Sequence, residues 1–152
     1  MTAQSDRIER DVLIAAPVER VWELITSPEH LGSWFGETGA EIDLRPGGTL
    51  KLSWREHPTV HGRVETVESP HRFAWRWLTS ADGEATPDNS TLVEFTLAAE
   101  GEGTRVAVVE SGFDALALDA EEREARLAAH CQGWPMELGE LVDYATRVPA
   151  AR

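Results

Sequence analysis

Between residues 38 and 111 the chain repeats one pattern, short runs of period-two hydrophobicity parted by strings that favour turns: Pro46-Gly47-Gly48, His57-Pro58, Ser69-Pro70 and Gly101-Glu102-Gly103. Parallel strands need a crossover of about a dozen residues or more, and these breaks are too short to hold one. Consecutive antiparallel strands are the simplest reading. The pattern predicts six of them near 38–44, 48–56, 59–68, 72–79, 90–98 and 103–111. Between the fourth and fifth, "SADGEATPDNS" is polar and rich in turn formers, which predicts an exposed loop. One further strand is expected over 7–15, where Ile8, Val12 and Ile14 share a face.

Helical spacing appears in three places. Pro17 stands where a first helical residue tolerates proline, and Val18, Val21, Trp22 and Ile25 follow on one side. "SPEHLGSWF" then restarts a short helix, with Ser27 as its cap and Leu31, Trp34 and Phe35 turned the same way. The third helix opens at Asp119, which can cap it, and runs to Thr146. Its apolar positions Leu127, Cys131, Trp134, Leu138, Leu141 and Ala145 form a single stripe that must cover something, and the apolar face of the sheet is the partner available. Pro135 removes a backbone donor inside this helix and Gly133 adds freedom beside it, so a bend is expected around "HCQGWPMEL".

Parity assigns the faces of the sheet. Leu50, Leu52 and Trp54 alternate with Lys51, Ser53 and Arg55, while Phe73, Trp75 and Trp77 alternate with Ala74, Arg76 and Leu78. The aromatic set belongs inside, with Val60, Gly62 and Val64, then Val93, Phe95 and Leu97, then Val106 and Val108. Gly62 is expected to leave a gap among larger neighbours, and Arg76 to lie on the outer surface. Glu110 falls on the inner side if the register of the last strand holds to its end; otherwise it faces water. The rings expected to meet there are Trp34, Phe35, Trp54, Phe73, Trp75, Trp77, Phe95 and Trp134, with Leu138 beside them. Rings of that size serve either as core or as the wall of a cavity, and the pattern leaves both open. An apolar cavity with a few polar groups, here Glu110, His130 and the indole N–H donors, is what a small-molecule site requires.

Composition narrows the partners. With 14 basic and 27 acidic side chains the formal net charge is −13, which repels nucleic acid and anionic lipid surfaces. A length of 152 residues suits one domain over 1–152. No run is long and apolar enough to enter a membrane as a span. The amino terminus "MTAQSDRIERD" has no signal core and the chain holds one cysteine, which together predict a cytoplasmic protein without an internal disulfide. The histidines at 30, 57, 61, 71 and 130 share no ligand spacing, so neither a metal nor another cofactor is expected. Cys131 lies on the apolar stripe without an evident base and reads as a buried small residue. Nothing in the pattern sets the oligomeric state, monomer or homodimer.

Three separated strings carry a family resemblance. "IAAPVERVWELITSPEHLGSWFG" resembles the opening, "RPGGTLKLSW" the glycine-rich hairpin and "HCQGWPMELGEL" the His-x-x-Gly-Trp closing helix of the family related to the C-terminal domain of the Hsp90 ATPase activator. That family lies within the START-related, birch-pollen-allergen-like (SRPBCC) superfamily. The resemblance implies an α+β helix-grip fold: a curved antiparallel sheet of seven strands, in the order strand, two helices, six strands, helix, wrapped around a long, kinked closing helix. It further implies a cavity between sheet and helix that takes a small hydrophobic or aromatic ligand. Some relatives are polyketide cyclases or aromatases, for which Glu110 and His130 are the candidate proton-moving groups here. An Hsp90-activator-like interaction module is the third reading, and binding of a ligand without catalysis is the leading one.

Overall fold

The computed structural model describes residues 7–35, 39–53, 59–79 and 84–147. Its elements follow the order β1 (Arg7–Ile14), α1 (Val18–Thr26), α2 (Pro28–Trp34), β2 (Gly39–Ile42), β3 (Thr49–Ser53), β4 (Val60–Glu68), β5 (Arg72–Leu78), β6 (Ser90–Glu100), β7 (Gly103–Ser111) and α3 (Ala120–Arg147), with a single 3-10 turn at Phe113–Ala115 before α3. The strands form one seven-stranded sheet in the order β1-β7-β6-β5-β4-β3-β2, and every neighbouring pair is antiparallel. From β2 to β7 each strand lies beside the next in sequence, as the short connections require. β1 pairs with β7, the last strand, along its whole length from Arg7↔Ser111 to Ile14↔Thr104.

The inner face is the one parity selected. On β7 burial alternates from Thr104 through Val106 and Val108 to Glu110, so the register holds to the strand's end. On β4 it does not. The pairing with β5 shifts between Val64, opposite Trp75, and Thr66, opposite Ala74, which inserts Glu65 as an extra residue and brings Val67 opposite Phe73. Gly62 also departs from expectation. A Cβ there would sit 2.6 Å from the Arg76 carbonyl oxygen and 3.3 Å from Cδ1 of Trp75, so the indole edge occupies the space that the missing side chain leaves. The second face of β5 is not wholly solvated, since Ala74 and Leu78 are buried and Arg76 is half-buried beside Glu65 and Ser90.

The three helices cover the inner face. Leu127, Trp134, Leu138 and Leu141 of α3 are buried in the core, and Cys131 and Ala145 pack against it. Burying each such leucine stabilises the fold by roughly 1.5–3 kcal/mol. Asp119 Oδ1 accepts a 2.8 Å hydrogen bond from the Glu122 backbone N–H, the cap expected from sequence. α3 is helical through Pro135. Ser27 occupies the N-cap position of α2, but its side chain makes no cap bond, and proline at the next position sets the helix's start instead. His30 of α2 and Tyr144 of α3 share a hydrogen bond of 2.7 Å, which ties the end of the long helix to the short one.

Candidate functional site

Most of the rings singled out from sequence meet in one cluster. Phe35, at the end of α2, is its hub: its ring centroid lies 5.5 Å from Trp134 in a stacked pair, 5.4 Å from Trp77 edge-on and 6.3 Å from Trp75. Trp75 stacks on Phe95 at 5.4 Å and touches Phe73 at 5.3 Å and Trp77 at 5.9 Å. Trp134 closes the group from α3, 5.8 Å from Phe95 and 6.4 Å from Trp77. Trp34 stands behind Phe35 at 5.3 Å. Phe73 lies toward α1, edge-on to Trp22 at 6.2 Å. Leu138 is buried in the same core. Trp54 lies outside the described residues.

One carboxyl group sits inside this apolar surround. Glu110 has no exposed surface, because its neighbours across the sheet are Ile8 on β1 and Val93 on β6 and α3 lies above it. An unpartnered buried carboxylate would cost many kcal/mol, so it must be hydrogen-bonded. Thr91 Oγ1 donates to its Oε2 at 2.6 Å and Trp134 Nε1 donates to its Oε1 at 2.8 Å. His130 Nδ1 lies 2.9 Å from both oxygens. His130 and Trp134 are four residues apart on one helix and reach the same group for that reason. The alternative placement of Glu110, at a strand end in water, does not hold.

His130 is the most accessible member of the network, with 22 % of its side chain exposed. Its ring stands between Trp77, at 5.9 Å, and Phe113, at 5.6 Å and edge-on. Trp77 is itself half-buried, so these two side chains form the outer margin of the cluster.

The indole donors differ in how they are satisfied. Trp34 Nε1 donates to the Leu24 carbonyl at 2.8 Å, and Trp134 Nε1 to Glu110. Trp75 Nε1 is buried and has no acceptor among the described residues.

Sequence reasoning missed Thr91 and Phe113. Thr91 lies two residues before Val93 on the same strand, so extending the parity of β6 by one step would have found it. Phe113 follows the last strand in a 3-10 turn, where no periodicity applies. Among the described residues no group of three or more histidine, cysteine, aspartate or glutamate side chains is placed to hold a metal ion, and no helix is long and apolar enough to cross a membrane.

A curved antiparallel sheet closed over a long C-terminal helix, with rings and a buried polar network between them, defines a helix-grip protein. The family follows from the sequence: residues 15–146 match the model of the Activator of Hsp90 ATPase homolog 1-like proteins, and the chain belongs to that family. Among curated proteins none matches. Solved structures of similar fold include protein MLL2253 from Mesorhizobium loti, 19 % identical with a TM-score of 0.76, covering 94 % of this chain and 98 % of that one. The Aha1 dimer from Colwellia psychrerythraea is 18 % identical, with a TM-score of 0.70 over 90 % of this chain and 93 % of that one. DynU16, from the dynemicin biosynthetic locus, is 24 % identical with a TM-score of 0.72 over 94 % of this chain. This chain spans 48 % of DynU16, about half its length.

Proposed function

We propose that this chain is a single-domain binding protein for a small hydrophobic, aromatic molecule, held between the sheet and α3 against Phe35, Trp75, Trp77 and Trp134. The observation that carries this reading is the buried N–H of Trp75, which has no acceptor among the described residues. A buried donor without an acceptor costs about 1–3 kcal/mol, and the other two buried indoles among the described residues, Trp34 and Trp134, avoid that cost. An aromatic ligand bearing a carbonyl oxygen would relieve it while packing against these rings. Trp77 and His130, the half-buried pair at the margin, are the side chains a ligand would meet first. DynU16, of similar fold, comes from a biosynthetic locus, which agrees with this reading.

Titration calorimetry with acetylnaphthalene and ethylnaphthalene tests the reading. Both should bind, and the carbonyl compound should bind about tenfold more tightly, the effect of one hydrogen bond of about 1.4 kcal/mol. Replacing Trp75→Phe should erase that difference. Absence of binding by either compound, together with no shift in thermal midpoint, would remove the proposal.

A second reading, an enzyme of cyclase or hydrolase type, is favoured by Glu110 and His130 standing within hydrogen-bond distance of each other beside the rings. The interaction-module reading has less support. The exposed large apolar side chains among the described residues, Leu13, Leu44 and Met136, are scattered over β1, the β2–β3 connection and α3.

A further inference from the structure

We infer that His130 sets the specificity of this site: its Nε2 accepts a hydrogen bond from a hydroxyl group on the bound aromatic molecule, and Glu110 is the positioning residue that makes it an acceptor. The inference rests on the ligand reading above and adds the chemical class, a phenol or enol in preference to the corresponding ether.

Glu110 fixes the tautomer. Its carboxylate oxygens can only accept, and they already receive the Trp134 indole N–H, which can only donate, and the Thr91 hydroxyl. The ring nitrogen that faces them at 2.9 Å must therefore carry its hydrogen. A neutral imidazole has one such hydrogen, so Nε2 is left with a lone pair. The ring cannot exchange its nitrogens cheaply, because Trp77 and Phe113 flank it and a flip would withdraw a donor from a carboxylate with no exposed surface. His130 makes no further hydrogen bond among the described residues, and its side chain is partly open. A flat ligand stacked on Trp77 presents its edge to that lone pair. A hydroxyl there gains a partner. An ether or carbonyl oxygen in the same place meets lone pair with lone pair and leaves both groups unsatisfied.

Calorimetry with naphthol, methoxynaphthalene and naphthalene tests this on the wild type and two variants. His130→Asn keeps an amide N–H where Nδ1 donates to Glu110 but has no atom at Nε2. Glu110→Gln offers its own amide hydrogen to Nδ1 and so drives the imidazole proton to Nε2. The wild type should prefer naphthol over methoxynaphthalene by about tenfold, His130→Asn should bind both equally, and Glu110→Gln should lose the preference, because both a hydroxyl and an ether oxygen accept from Nε2–H. Nitrogen NMR of the unliganded wild type should find His130 protonated on Nδ1, a measurement that does not depend on either variant folding. Equal binding of naphthol and methoxynaphthalene by the wild type, or a proton on Nε2, overturns the inference while the ligand site stands. Failure of all three compounds to bind removes the ligand site and the inference together.

Discussion

Glu110 shows how far single residues could be read in advance. Parity puts it on the inner face only if β7 keeps its register, and the pairing of Ile8 with Glu110 and of Glu110 with Val93 is what holds that register to the end. Of its partners, His130 and an indole N–H are expected beside it from sequence, whereas Thr91 on β6 and the atom-to-atom pairing depend on where the helix crosses the sheet. Each donor around a buried carboxylate offsets part of the cost of removing it from water. Thr91→Val keeps the shape of the side chain and deletes one donor, so it should destabilise the fold by about 1–3 kcal/mol. Urea unfolding should show a lower midpoint with an unchanged slope. A cost near zero would mean that water or another group replaces the hydroxyl and that Thr91 adds nothing to the network.

Elements were legible where periodicity alone decides them and illegible where one residue breaks it. The six strands after α2 and the stripe of α3 fall where the pattern puts them, because turn-forming residues bound each run. The bulge at Glu65 could not be foreseen: an extra residue in a strand leaves composition unchanged and shows only in the pairing. Gly62 is a related case, a residue whose missing side chain suggests a gap until the neighbour that fills it is known. Glycines in this chain therefore divide by surroundings. A Cβ at Gly139, exposed on α3, would meet nothing within 4 Å, so Gly139→Ala should stabilise by about 0.5–1 kcal/mol through helix propensity. Gly62→Ala forces a Cβ to within 2.6 Å of a backbone oxygen and should destabilise. Thermal midpoints moving in opposite directions would bear this out, and a stabilising Gly62→Ala would show that β4 and β5 can separate without cost.

At the scale of the whole molecule, charge decides more than any ion pair. Arg105 forks onto Glu100 at 2.9 Å and reaches Asp11 at 3.0 Å, tying the β6–β7 hairpin to the edge strand. Hydrogen bonds from the Arg105 guanidinium hold the Glu100 carboxyl below its ordinary value and raise that of Arg105. A lowered carboxyl stabilises above its unfolded value and loses that contribution as pH falls through the folded one, but both groups are exposed and such pairs contribute little. Against them stands a net charge of −13. The charge total, the order of elements and the strings that mark the family are all legible in the sequence; ring-to-ring geometry, on which any ligand preference rests, emerges only when α2 and α3 close over the sheet. Self-repulsion of that size should yield to screening, so the thermal midpoint should rise as sodium chloride is raised toward about 0.15 M, where the Debye length is about 8 Å. Glu140 tests the cause. It is exposed on α3 three residues from both Glu137 and Asp143, like charges on one flank of the helix. Glu140→Lys should therefore raise the midpoint at low salt, and the gain should shrink as salt is added. A midpoint that falls with salt in the wild type would mean that the exposed ion pairs outweigh the net charge.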